Sequence, residues 1–250
     1  MTPNPILKVL STLTTRRVRH LLMGGQACVF YGAAEFSRDT DVALLAESEN
    51  LDRLTLALAD LDAHGIAVPP ASLHYLLRGH ALHFRCAHPE ARNMRLDVMS
   101  VMRGVDPFED LWARRTTLEV EPGVTLEMLS LPDLVAAKKT QRDKDWPMIR
   151  RLLEAHHATH RDDPSPEQID FWLAELRTPA LLLTITSRYP EMARSVSHQR
   201  PLLGSALAGD EPGLATALAE EERRERDADR AYWLPLRKEL EALRHEGASS

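Results

Sequence analysis

Across residues 1–157 the apolar positions change period several times, and each change marks an element. In "PILKVLSTLTTRR", Ile6, Val9, Leu10 and Leu13 recur at helical spacing. "VRHLLM" (18–23) is β-branched and apolar, reading as a buried strand that runs into Gly24-Gly25, and "GQACVFYGAAE" suits a short helix. "TDVALLA" (40–46) predicts a second strand. "SENLDRLTLALADLDAHG" reads as an amphipathic helix, with Ser48 as N-cap and Gly65 just past its end. "LHYLLRGHALHFRCA" (73–87) reads as an extended pair or a strand bent at Gly79, and "MRLDVMSV" (94–101) as a strand carrying a lone Asp97. "TTLEV" and "GVTLEML" flank a Pro122-Gly123 turn, a hairpin signal. "SLPDLVAAKKTQ" opens with Ser130 and Asp133 at capping-box spacing, and "DKDWPMIRRLLEAHH" is a further helix.

The pattern then shifts. "ATHRDDPSPEQ" (158–168) holds two prolines, three acids and a serine, the composition of a linker. Everything beyond it, from "EQIDFWLAELR" to "DADRAYWLPLRKELEALRHE", has helical spacing. The expectation is an α+β chain: a mixed domain over 1–157 and a helical C-terminal domain over 165–250.

Charge and composition narrow the class. A net charge of -6 argues against a broadly basic surface that coats nucleic acid. Cys28 and Cys86 both sit in apolar stretches, as buried free thiols of a reducing compartment would. The first residues lack the apolar core of a signal peptide, and no run reaches the ~18 apolar residues of a membrane span. A cytoplasmic protein with no membrane partner is expected.

The candidate chemistry begins at Asp39 and Asp41. On a strand they share a face with Ala43 and Leu45, while Thr40, Val42 and Leu44 take the other. Like charges at that spacing disfavour each other's ionisation. If a neighbouring strand brings Asp97 alongside, the three acids make a hard-cation site for Mg²⁺. Two such ions can clamp the attacking and leaving oxygens of a displacement at phosphorus. Gly24-Gly25, at a strand–helix junction, would let backbone N–H groups approach a phosphate. The plainer alternatives are two hydrated acids at a strand end, and an Asp97 paired with Arg95 or Arg92. His156, His157 and His160 lack the Glu or Cys that would complete a zinc pattern; His80 and His83 are no better placed, although His83 on a strand is near a nucleotide in this picture. "EEERRERDADR" (220–230) is a solvated helix face with i,i+4 charge pairs.

In combination, these motifs resemble the nucleotidyltransferase superfamily that includes DNA polymerase β, in its small prokaryotic branch. Its mark is an apolar residue, Gly and Gly or Ser, then Asp-x-Asp and an apolar residue. Met23-Gly24-Gly25, Asp39-Thr40-Asp41 and Val42 supply it, and Asp97 in "RLDVM" stands where the third carboxylate belongs. Members often read Arg-x-Thr-x-Asp-x-Asp; here Glu35 replaces the Arg and Ser37 the Thr, with Arg38 next. "LSLPDLVAAKKTQRDKDWPMIRRLL" is similar to the helix pair that follows the core in AbiEii-type enzymes. Asp133, Lys138 or Lys139, Arg142, Lys144 and Asp145 fall on that pattern, and Met148 stands where an Asp is common.

The resemblance implies a small mixed sheet flanked by helices, with Asp39, Asp41 and Asp97 as catalytic metal ligands. It implies two Mg²⁺ ions, with Mn²⁺ as a substitute. Gly24, Gly25, Ser37, Arg38, Lys138, Arg142 and Lys144 would bind the nucleotide. The implied reaction moves an NMP from a nucleoside triphosphate to an acceptor hydroxyl on a tRNA, a protein or a small molecule. A toxin paired with an antitoxin, in a toxin–antitoxin or abortive-infection system, is one setting. The alternatives are a catalytically silent binding or regulatory module and a metal-dependent phosphodiesterase or nuclease.

Overall fold

The structure is a computed structural model that describes residues 4–34 and 37–248. Glu35, one of the departures from the pattern that the sequence resembles, lies outside the described residues. Two compact units divide the chain. Met1–Phe30, Ala34–Ala137 and Ala231–Ser250 form the first, and Tyr31–Ala33 with Lys138–Arg230 the second.

The first unit opens with helix α1 (Pro5–Thr15), whose free N–H groups at Ile6 and Leu7 donate to the Asn4 side chain. Strand β1 (His20–Met23) follows, then α2 (Gly24–Phe30), β2 (Asp39–Leu44) and α3 (Ser48–Asp60). Glu47, not Ser48, holds the cap position of α3, and it makes no side-chain cap bond. The chain has already turned by Leu61, so Gly65 falls in a short strand, β3 (Ala63–Gly65).

The 73–87 segment differs from its expected extended form. It opens as one helical turn, α4 (Leu73–Leu77), with Leu76 buried. Gly79, at φ +93°, redirects the chain before β4 (Leu82–Cys86). A five-residue helix gives too few turns for its period to show against an alternating neighbour. The remaining elements are β5 (Arg95–Met99), α5 (Phe108–Ala113), the hairpin β6 (Thr116–Glu121) and β7 (Val124–Met128), and α6 (Leu131–Ala137). At α6 the Ser130–Asp133 cap forms, the Asp133 N–H donating to Ser130 Oγ and the hydroxyl to the Asp133 carboxylate.

The strands make one mixed seven-stranded sheet in the order β3-β4-β5-β2-β1-β7-β6. β2 and β5 are parallel, as are β1 and β7; the other pairs are antiparallel. Leu22, Val42, Val98 and Leu82 line up across four strands and are buried, as are Leu96 and Phe84 beside Thr40. That row is the core of the unit. The fold is therefore α+β, a mixed sheet flanked by helices with a long helix at its C-terminal end.

The second unit is helical. It holds α7 (Asp145–His160), α8 (Pro166–Glu175), α9 (Pro179–Arg188), α10 (Pro190–Val196), α11 (Leu203–Leu207) and the start of α12 (Glu211–Ala248). Pro166, Pro179 and Pro190 each open a helix, where the missing N–H costs nothing, and Ser165 with Gln168 closes a full capping box. Trp172, Leu173, Leu152 and Ile149 are fully buried. Buried Arg177 and Arg200 share Glu221 at 3.1 and 2.8 Å. Among the described residues no helix is long and apolar enough to cross a membrane.

Candidate active site

Register builds the site. Across the parallel pair β2–β5, Asp41 stands opposite Asp97 and Asp39 opposite Arg95. β1 sets Met23 opposite Asp41, and β4 sets His83 opposite Asp97 and Arg85 opposite Arg95. Directly paired residues share a face. One face therefore carries two rows: Met23, Asp41, Asp97 and His83, and beside it Asp39, Arg95 and Arg85. All three expected carboxylates lie on that face, with Asp41 and Asp97 on strands about 4.8 Å apart. Thr40, between the two acids of β2, points the other way and is fully buried.

The glycine pair is explained by what lies against it. Gly24 has φ +68°, and a Cβ built there would sit 2.0 Å from Asp41 Oδ2. At Gly25 a Cβ would meet Ser37 Oγ at 2.7 Å. Glycine at both positions thus makes room for the side chains of Asp41 and Ser37. Ser37 Oγ donates to the Asp39 carbonyl at 3.1 Å, tying the approach to β2. Arg38 is exposed beside it. Ser37, Arg38, Gln26, Val29 and Met94 line a cleft of about 520 Å³ where the chain enters β2 and β5.

The face is not a bare acid cluster. Arg95 Nε donates to Asp97 Oδ1 at 2.8 Å. His83 Nδ1 lies 2.8 Å from the same oxygen and 3.2 Å from Arg95 Nη2. A guanidinium only donates, and one ring nitrogen cannot donate and accept together. The shorter, charge-assisted contact assigns the proton to Nδ1, donating to Asp97. Burial raises the Asp97 carboxyl, but the hydrogen bonds from His83 and Arg95, with their charges, outweigh it and hold the group below the ordinary carboxylate range. The bond to Asp97 raises the Arg95 guanidinium against burial, and the charges of Asp97, Asp39 and Asp41 add to it. Of the two partners expected for Asp97 in the plainer alternative, Arg95 makes the bond, while Arg92 is exposed.

Three carboxylates offer the oxygen donors a hard cation such as Mg²⁺ requires, and the Gly24 cradle fixes one of them. The donor chemistry fits. Among the described residues, though, no group of three His, Cys, Asp or Glu side chains closes on a common point. Asp97 Oδ1 is committed to Arg95 and His83, and Oδ2 accepts no hydrogen bond from the described residues.

Lys138, Arg142 and Lys144 belong to the second unit. Asp145, nearly fully buried, gathers the first two: Lys138 Nζ lies 3.5 Å from Oδ1, and Arg142 Nε donates to Oδ2 at 2.7 Å. Thr140 Oγ1 donates to Oδ2 as well, at 2.6 Å. Lys138 is itself buried, so this Lys–Arg–Asp pattern ties the start of α7 together. Lys144 occupies the cap position of α7 and is exposed, with no ion pair among the described residues. Asp133, in the first unit, is a buried cap residue held by Arg114 through two bonds of 2.7 and 2.8 Å.

The histidines of α7 do other work. Trp172 Nε1 donates to His156 Nδ1 at 2.9 Å, which puts the neutral ring's proton on Nε2 and leaves no lone pair for a metal. His160 Nδ1 donates to the His156 carbonyl at 2.9 Å. Arg85 and His83 are the site-face residues that strand period alone does not bring to the acids, because cross-strand register is not written in any one strand. Arg95, two positions before Asp97, carried the one signal available. A scan of family models matches none to this chain, and a search of curated proteins finds no match.

Proposed function

We propose that the protein is a divalent-metal-dependent nucleotidyltransferase, moving an NMP from a nucleoside triphosphate to an acceptor hydroxyl. The observation that carries the reading is the register of Asp41 against Asp97 on a face that also bears Asp39, with Gly24 cut away to seat Asp41. Asp39, Asp41 and Asp97 would hold Mg²⁺, which supplies charge neutralisation and orientation of phosphate oxygens when bound. The cleft between Ser37, Arg38 and Met94 has the volume of a small-ligand site and would take the nucleoside part, with Arg38 at its rim for a phosphate. Asp97, through Oδ2, would take the proton of the acceptor hydroxyl as its oxygen bonds to the α-phosphorus and the α–β phosphoanhydride bond breaks to release pyrophosphate. A cytoplasmic location suits such substrates, and the acceptor classes are a tRNA, a protein or a small alcohol.

The test is label transfer from α-labelled triphosphates to cell-derived acceptors with Mg²⁺ or Mn²⁺. Transfer is expected from the wild type and should be lost, by at least about a hundredfold, in Asp41→Ala with an unchanged circular-dichroism spectrum. Undiminished transfer by that variant removes the mechanism. One observation favours a second reading, a binding module without turnover: Asp97 Oδ1 is bonded to both Arg95 and His83. Metal-dependent triphosphate binding by calorimetry, with no labelled product from any acceptor, would select it.

A further inference from the structure

Arg95 stands within the carboxylate face. Its Nε–H reaches Asp97 Oδ1 at 2.8 Å, Asp39 is its direct neighbour across β2–β5, and Asp41 shares the face one row on. We propose that Arg95 is a resident counter-cation, neutralising this face while no metal is bound and yielding Asp97 when a divalent ion is shared between Asp41 and Asp97. The inference rests on the metal-dependent reading of the same residues.

Three arguments converge on it. First, three acids on two adjacent strands repel one another, and a fixed cation among them removes most of that repulsion. Second, Asp97 Oδ1 is held by two donors at once, so its carboxylate is oriented by the protein rather than by an ion. Third, Arg85 lies directly across β4–β5 from Arg95 and makes no ion pair among the described residues. Like charges opposite each other are unfavourable, and Arg85 therefore favours an Arg95 that leans on the acids. A guanidinium and a divalent cation cannot occupy the same small volume without strong repulsion. At close range in a water-like medium that repulsion lowers metal affinity by on the order of tenfold. Arg95 would thus set both the stability of the metal-free face and the metal concentration at which it loads.

The experiment titrates Mn²⁺ alone into the full chain, reading free Mn²⁺ by electron paramagnetic resonance and the metal-free melting temperature by circular dichroism. Arg95→Gln should melt lower without metal yet bind Mn²⁺ about tenfold more tightly than wild type. Arg85→Gln removes the same charge from the same face without losing a bond to an acid, and should tighten binding less. Arg95→Lys keeps the charge but not the Nε bond and should fall between; if Arg95→Gln does not fold, Arg95→Met, which also removes the charge, carries the test, and no tightening in it overturns the proposal. Unchanged or weaker binding by Arg95→Gln, or tightening no greater than that of Arg85→Gln, also overturns it. Wild-type uptake that is lost in Asp41→Asn, beside an unaltered Arg95→Gln, sinks this inference alone. No uptake by wild type, or equal uptake by Asp41→Asn, sinks it together with the metal-dependent reading.

Discussion

Glycine at position 24 answers to the residue opposite it. An alanine there meets two separate costs, a left-handed backbone at φ +68° and a Cβ 2.0 Å from Asp41 Oδ2. The first is about 1 kcal/mol, and the second forces the carboxylate to move. Gly24→Ala should cost about 2–3 kcal/mol in urea unfolding, falling to about 1 kcal/mol in an Asp41→Gly background, where only the backbone share is left. Equal costs in both backgrounds would show that the two residues do not press on each other. At this scale much was legible: strand periodicity alone puts Asp39 and Asp41 on one face, and it does the same for Arg95 and Asp97. The reason for the glycines was not, since a close approach between α2 and β2 leaves no trace in either segment by itself.

Helix α7 shows how an element can carry a pH dependence unrelated to the site. Burial pushes the His156 ring down to about 4, and the nearby His160 and His157 charges push the same way. In the unfolded chain the group titrates near 6.5. Unfolded chains therefore take up a proton as pH falls below that value while the folded ring does not. Stability from this group is full above about pH 6.5 and declines as pH falls toward about 4, where the folded ring also protonates. With the ring half-buried and partly screened, the loss should be about 1–2 kcal/mol. His156→Gln offers Trp172 an uncharged acceptor and should flatten the unfolding free energy across that window; a slope equal to wild type would place the effect elsewhere. Elements with strong periods or turn chemistry were readable, such as α1, β2 and the Pro122-Gly123 hairpin. The single turn of α4 and the three residues of β3 were not, because each is shorter than the pattern that would announce it.

For the molecule as a whole, the balance of charge on the sheet face has a plain consequence. Asp39, Asp41 and Asp97 share their sheet face with Arg95 and Arg85, and folding is therefore expected not to depend on a bound ion. Treatment with a chelator should leave the wild-type melting temperature within about 1 °C, and a fall of several degrees would mean that a metal is part of the fold. The fold class could be read from the alternation of strand and helix patterns, whereas sheet order could not, since it depends on which distant strands meet. The first unit also draws on the far end of the chain. Fully buried His80 donates through Nε2 to Glu239 Oε2 at 2.8 Å, and Arg78 donates to the same oxygen at 2.9 Å. A ribosome thus has to deliver residue 239 before the loop at 78–80 can be completed, and every sheet strand will have emerged well before that. Synthesis leaves an early, almost finished half waiting on its last stitch, a period in which chaperones and proteases have their best access to it.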